Sequence, residues 1–334
     1  MSQRKTFPDI SYLSFQHPQD KEALDKVKKI PVLPVVFKAL SNIISEKMFL
    51  IASLSDNLRI TARQCPSLYK MFEEAANILS IKKLPELYLD SNYQINAFAF
   101  GMENYTITLY SGLVDLLTED ELMFVIAHEL THIKCEHMLY LTMAQILFQI
   151  GSNVLSGILG RAIGNLALTG LMFALYSWMR KAEFSCDRGG QLVVQNPEVS
   201  ASALTKLAGG SQKFFNEINI EEVLNQAQSC TDMDEKLLWK AMKILQTLPR
   251  SHPFPIVRVQ EILTWTQSEE YKKILAGEYL KTTEQVTISH PFTLPSQVVP
   301  MPATTPEIFF CPYCGNKIKK GYKFCSYCGE EINI

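Results

Sequence analysis

No sign of charge dominates this chain: 32 lysines and arginines stand against 34 aspartates and glutamates, a formal charge of −2. No long-range field therefore draws nucleic acid or an anionic membrane as the main partner, and nucleic acid is not an expected ligand. The N-terminus, MSQRKTFPDISYLSF, lacks both the continuous apolar stretch and the small-residue cleavage site of a secretory signal, so the mature protein is expected to start near Met1. Disulfide spacing is missing too. Of eight cysteines, four sit in two CxxC pairs near the C-terminus, while Cys65, Cys135, Cys186 and Cys230 are scattered. That pattern reads as a metal site plus reduced thiols. These absences point to a cytoplasmic protein, free in the cytosol or associated with or integrated in a membrane facing it. No internal repeat is found.

What is present suits a globular protein. The 334 residues are 47% apolar and 20% charged, enough for one large domain with a full core and a small appendage. Residues 1–80 read as a helical N-terminal region. From about Asp20, apolar positions such as Val36, Leu40, Ile43 and Ile44, and later Leu68, Phe72, Ala75, Ala76 and Leu79, recur at helical spacing. From Glu86 the rhythm changes to the short β-prone runs LYLD, INAFAFG and TITLYSG, which predict a small sheet. Thr118 with Glu121 forms a capping box opening a helix whose core face carries Leu122, Val125, Ile126 and Leu130. After Gly189-Gly190 further helices follow, one opened by Asn196-Pro197 and closed by Gly209-Gly210. The fold class is thus α+β and predominantly helical, with 81–281 as the main domain. Residues 282–308, rich in Pro, Ser and Thr, read as a linker to a tail at 309–334.

Between Met138 and Trp178 the sole charged residue is Arg161, and the run is long enough for two bilayer-spanning helices. Yet Gln145, Gln149, Ser152 or Asn153, and Ser156 recur every three to four residues, and Asn165, Thr169 and Tyr176 make a weaker polar stripe. An apolar helical hairpin over 138–179 is expected, packed on the protein or lying on a membrane, with true spans as the open alternative.

The chemistry concentrates at His128-Glu129-Leu130-Thr131-His132, an HExxH pattern inside the capped helix. At about 100° per residue, the two histidines fall within about 40° of one another, so both imidazoles reach one ion from one face. Glu129 lies beside them, set to polarise a water in the open coordination position. A catalytic zinc wants a third protein ligand. His137 stands nine residues after His128, half a turn round the helix, and faces away unless the helix ends early. It reads as a surface or supporting residue, and the HExxHxxGxxH pattern fails because Cys135 and Met138 occupy the glycine and last histidine positions. Glu183 lies on a predicted helix with Asp187 one turn on. Spacing alone leaves two readings: a ligand with a carboxylate that orients a histidine ring, or a solvated acidic pair neutralised by Arg180, Lys181 and Arg188.

HELTH, followed some fifty residues later by EFSCD and then by SHPFPIVR, resembles the M48 family of gluzincin metallopeptidases over roughly Leu84 to Leu263. Asn96-Ala97-Phe98-Ala99 is similar to the family's strand along the cleft edge, and Ser111-Gly112-Leu113 to its turn into the HExxH helix. The resemblance implies a zincin-like fold, Glu183 as third zinc ligand and Asp187 as its helper. It also implies that a polypeptide substrate adds as a strand beside residues 95 to 99. Thr131 and Cys186 stand where the family often has Gly and Ala; both are small and are expected to leave the ligands untouched.

His252-Pro253 with Arg258 matches the family's downstream element. Either residue can serve as an oxyanion donor worth about 3 kcal/mol, or His252 can take the water's position as a fourth ligand and keep the enzyme latent. A Pro-started helix with a capping His and a salt-bridged Arg is the plain alternative. The expected activity is that of a zinc-dependent metalloendopeptidase in which Glu129 takes a proton from water and returns it to the leaving amine. The rival from another class is a non-catalytic zinc-binding scaffold, which needs metal ligands but no Glu129. Finally, Cys311, Cys314, Cys325 and Cys328 have the spacing of a closed tetrahedral zinc ribbon, without which so short a tail would not fold. Two zinc ions are therefore expected, one catalytic and one structural, with the ribbon docking on a protein partner or recruiting substrate. A redox role for either CxxC is the alternative.

Overall fold

The computed structural model describes residues 4–282, apart from 44–45, 103, 148–164, 210, 212, 233–251 and 253, together with the strand pair 309–310 and 317–318. Met1–Gln285 form one compact unit and Val286–Ile334 a second. The N-terminal helices belong to the first unit. They are α1 (Pro18–Lys28), α2 (Leu33–Ile43), α3 (Glu46–Asp56) and α4 (Pro66–Ile78), with a strand β1 (Leu58–Ile60) that the helical reading of this region missed. Phe7, Ile10, Phe15, Val36, Leu40 and Phe72 are buried, while Ile44 and the side chain of Ile43 lie outside the described residues. Ile10 bridges to Lys281, so the two ends of the unit are stitched together.

The three β-prone runs become β2 (Glu86–Asp90), β3 (Ala97–Phe100) and β4 (Thr106–Tyr110). The sheet order is β1-β2-β4-β3. β2 pairs antiparallel with β1 and parallel with β4, and β3 pairs antiparallel with β4, Ala97 opposite Leu109. β3 is thus an edge strand, and Ile107 and Leu109 of its neighbour are fully buried. A short α5 (Ser111–Leu116) leads into α6 (Glu119–Lys134), whose capping box is present in full. Every residue of α6 from Glu121 to His132 is buried, which places the HExxH turn in the middle of the core.

A helix α7 runs from 138 through 147, and α8 (Asn165–Val194) follows beyond the residues left undescribed. The described arms are core: Met138, Leu141 and Leu147 on one and Leu168, Leu175 and Trp178 on the other are buried, and Tyr176 donates to the Ala144 carbonyl. Gln149, Ser152, Asn153 and Ser156 lie outside the described residues. Among the described residues no helix is long and apolar enough to cross a membrane.

Gly189-Gly190 does not separate one helix from the next, because α8 continues through it to Val194. The glycines let α8 approach α6. A Cβ on Gly189 would stand 1.9 Å from Thr131 Oγ1, and one on Gly190 would stand 2.7 Å from the Phe124 ring. The unit is completed by α9 (Pro197–Gly209), α10 (Ile220–Asp232), α11 (Pro255–Thr266) and α12 (Glu269–Ala276). As expected, Asn196 caps α9, its Oδ1 accepting from the Glu198 amide, and Gly209 ends it at a positive φ. In the second unit β5 (Phe309–Phe310) pairs antiparallel with β6 (Lys317–Ile318), bracketing the first CxxC in sequence. The linker 283–308 and the four ribbon cysteines lie outside the described residues.

Candidate metal centre

His128 and His132 project from adjacent turns of α6, 3% and 1% exposed. Their Nε2 atoms have no hydrogen-bond partner. The crossing of α6 with α8 brings Glu183 to them, its two carboxylate oxygens each 3.4 Å from one Nε2. A tetrahedral ion with bonds of about 2.05 Å separates its ligand atoms by about 3.3 Å, so these groups fit a zinc-sized cation. Charge points the same way. Glu129, Glu183 and Asp187 are buried against one buried guanidinium, that of Arg258; three carboxylates less one cation leave two negative charges, which a divalent ion balances.

His128 is oriented directly. Its Nδ1 lies 3.0 Å from Asp187 Oδ1, and Asp187 is gripped by Arg258 through Nε and Nη2 at 2.7 and 2.6 Å. Arg258 Nη1 lies 2.8 Å from Glu183 Oε2, so one fork braces both acids of α8. Burial opposes ionisation of Asp187 and Glu183. Arg258 outweighs it at Asp187, and His252 and Arg258 outweigh it at Glu183, holding both below the ordinary carboxylate range. The rings diverge. Burial opposes charge on His128 too, but Glu183 and Asp187 raise it to about 9, whereas burial dominates at His132 and lowers it to about 4.

His137 is not at the surface: it is fully buried. α6 ends at Lys134, Cys135 caps it, and Glu136 takes φ +59°, so the chain swings back and His137 lands behind His132. Its Nδ1 lies 3.3 Å from His132 Nδ1 and its Nε2 lies 3.0 Å from Asp20 Oδ2. Burial works against the Asp20 charge, but the His137 contact and bonds from Ser185 and Gln16 hold the carboxyl well below its usual range. Cys186 is nearer the centre than its small size suggested, its Sγ 3.8 Å from His137 Nδ1. Burial pushes that thiol well up. Asp20 was not found from sequence, since no motif links residues so far apart, and of the two places the sequence left open for His137 the structure takes the supporting one.

His128 opens on a cleft of about 630 Å³ lined by Asn96, by Ala97 of the edge strand, by Glu129 and by Phe254 to Arg258. Phe98 and Ala99 continue the strand beyond it. His252 is not a helix cap, since Phe254 caps α11 without a side-chain bond. It sits between the acids, Nδ1 2.8 Å from Glu183 Oε2 and Nε2 3.3 Å from Glu129 Oε1, while Nε2 donates to the Ala97 carbonyl at 2.9 Å. Burial opposes its charge, but Glu183 and Glu129 raise it above the ordinary histidine value. Oε2 of Glu129 has no hydrogen-bond partner. Potential ligand atoms of His128, His132, Glu183 and His252 all lie within 4.8 Å of one another.

A family model described as peptidase family M48 matches residues 62–266, and one described as a zinc-ribbon domain matches 310–332. The chain belongs to peptidase family M48: it is a metalloendopeptidase that acts on polypeptides and carries a zinc ribbon. It is 34% identical over 281 residues to the plastoglobule-localized metallopeptidase 48, chloroplastic, of Arabidopsis thaliana, covering 84% of this chain and 80% of that protein. Protease HtpX homologs of Moorella thermoacetica and Gemmatimonas aurantiaca are 29% and 30% identical, each over 46% of this chain. The chain spans only 59% and 62% of those two proteins.

Proposed function

We propose that the chain hydrolyses internal peptide bonds with one zinc ion held by His128, His132 and Glu183 and with Glu129 as general base. The observation that carries this is the pair of unpartnered Nε2 atoms facing Glu183, with the unpartnered Glu129 Oε2 beside them on the cleft. Zinc bound there supplies the Lewis acidity that makes water nucleophilic near neutral pH and polarises the scissile carbonyl. Glu129 accepts the proton of the attacking water and passes it to the leaving amine, with no covalent enzyme intermediate. Asp187 orients His128. We read Arg258 as a positioning residue: Nε and Nη2 bond Asp187, and Nη1, 2.8 Å from Glu183 Oε2, makes an ion pair but no hydrogen bond. Substrate extends the sheet at the edge of β3, reading the backbone along Asn96 to Ala99.

His252 stands where water and substrate must come. Both ring nitrogens are occupied, one by Glu183 and one by the Ala97 carbonyl of the edge strand. We read it as a latch whose departure opens the centre. His252→Ala then raises peptidase activity, whereas an oxyanion donor would lose on the order of 100-fold.

The ribbon cysteines Cys311, Cys314, Cys325 and Cys328 hold the second, structural zinc and serve docking to a protein partner or recruitment of substrate. Deleting residues 306–334 leaves cleavage of small peptides intact. The apolar hairpin 138–179 offers the contact to a membrane facing the cytoplasm.

The test is cleavage of an unfolded protein by the zinc-loaded chain. Glu129→Gln, a chelator control and a His252→Ala chain run in parallel. Turnover falling by at least about 100-fold in Glu129→Gln supports the general base. A Glu129→Gln chain that cleaves like wild type would sink it, and silence of both the wild type and His252→Ala favours the scaffold.

A further inference from the structure

On its Nδ1 side His132 meets an imidazole, where His128 meets a carboxylate. A carboxylate at Asp20 can only accept, so the proton between it and His137 sits on His137 Nε2. With His137 carrying that one proton, its Nδ1 is an acceptor, shared with the Cys186 thiol at 3.8 Å, and across the 3.3 Å contact His132 Nδ1 is the donor. The remaining lone pair of His132 is thereby fixed on Nε2, the atom that faces Glu183 without a hydrogen-bond partner. The far end of the chain of bonds cannot swing. Trp178 Nε1 donates to Asp20 Oδ1 at 2.9 Å and Ser185 Oγ to Oδ2 at 2.7 Å, and Asp20 has no solvent exposure.

We propose that Asp20 is a positioning residue of the metal centre, acting through His137 to hold His132 in the tautomer and orientation that binds a divalent ion through Nε2. This rests on reading His132 as a metal ligand. It gives the N-terminal helix, which precedes the family-matched residues 62–266, a role in the chemistry. A competing arrangement uses the same atoms. His132, His137 and Cys186 offer ligand atoms within 4.8 Å of one another, and an ion between them would replace the histidine pair's hydrogen bond.

The experiment measures zinc affinity of the full chain at fixed neutral pH by competition with a chromogenic chelator. Zinc retained by the His128→Ala chain defines the background outside the centre. Orienting partners of metal-bound histidines are worth roughly 10–100-fold in affinity. His137→Leu is expected to lose that much, and Asp20→Asn about 10-fold. His137→Asn, whose Oδ1 can accept from His132 Nδ1, should recover most of the leucine loss although it packs less well. Melting of the zinc-free chains is recorded alongside. A purely structural role makes affinity follow melting temperature, with Asn no better than Leu, and that result overturns the proposal. So does a Cys186→Ala chain that loses as much zinc affinity as His137→Leu, which would mark the competing site. If His137→Leu does not fold, the Asp20→Asn and His137→Asn pair carries the test: wild-type affinity in Asp20→Asn overturns the proposal. If His128→Ala and His132→Ala hold as much zinc as wild type, the metal centre itself is misread and the inference falls with it.

Discussion

The two histidines of α6 are one turn apart, yet opposite regions of the molecule hold them. His128 is braced on the α11 side by a charged fork, Arg258 gripping Asp187 and Glu183. His132 is braced on the α1 side by a chain of ring contacts ending in Asp20, 117 residues from His137. One support lies within the family-matched region and the other begins outside it. The difference shows that equivalent ligands do not imply equivalent support: the charged side trades on ion pairing, the ring side on packing and tautomer.

The comparison breaks most sharply at Arg258. Arg258→Leu leaves two buried carboxylates without their partner, a loss of about 3–5 kcal/mol, so urea unfolding should show it, most severely without zinc. Stability like that of wild type would mean that the fork is not what holds the acids. Removing one bond from each side sharpens the contrast. Asp187→Asn acts on its ring without an intermediary and should weaken zinc by roughly 10–100-fold, at least as much as Asp20→Asn. The reverse order, read by the same chelator competition, would make the α1 side the principal support.

Gly189→Ala probes the crossing that both sides share. The new methyl overlaps Thr131 Oγ1, and the overpacking should cost about 1–3 kcal/mol in chemical denaturation. Thr131→Ala in the same chain should recover much of it; no recovery would place the strain elsewhere. The last contrast is protonic. With His128 raised to about 9 and His132 lowered to about 4, His128 carries the proton that a metal must displace at neutral pH. Apparent zinc affinity should therefore fall about tenfold per unit as pH drops below about 9, with His132 adding to the slope only below about 4. Calorimetry in buffers of different ionisation enthalpy should count about one proton released per zinc at pH 7; none would contradict the raised value.

Much of the centre was legible because it is local. HExxH, the capping box that opens α6 and the four-residue spacing of Glu183 and Asp187 fix side-chain directions within single helices. The edge position of β3 followed less fully, since β-prone runs give strands but not their order. Arg258 was visible only within a motif, and its grip on both acids needed the packing of α11 on α8. His137 stayed open between a surface and a supporting place because nothing in Cys135-Glu136 announces a left-handed residue that ends a helix early. Gly189-Gly190 looked like a break and is instead the contact point of two helices.

By itself the sequence pointed to the reaction class and to candidate groups for it: two imidazoles on one helical face, a glutamate beside them and two CxxC pairs, with the third acid implied only by the family resemblance. The shared face of the two histidines follows from helical periodicity, which is a property of the chain alone. Only the tertiary structure decided which side chains hold the ligands still. Asp20, His137 and Arg258 act through distances between helices, and no repeat or spacing in one strand of sequence encodes the distance between two packed helices.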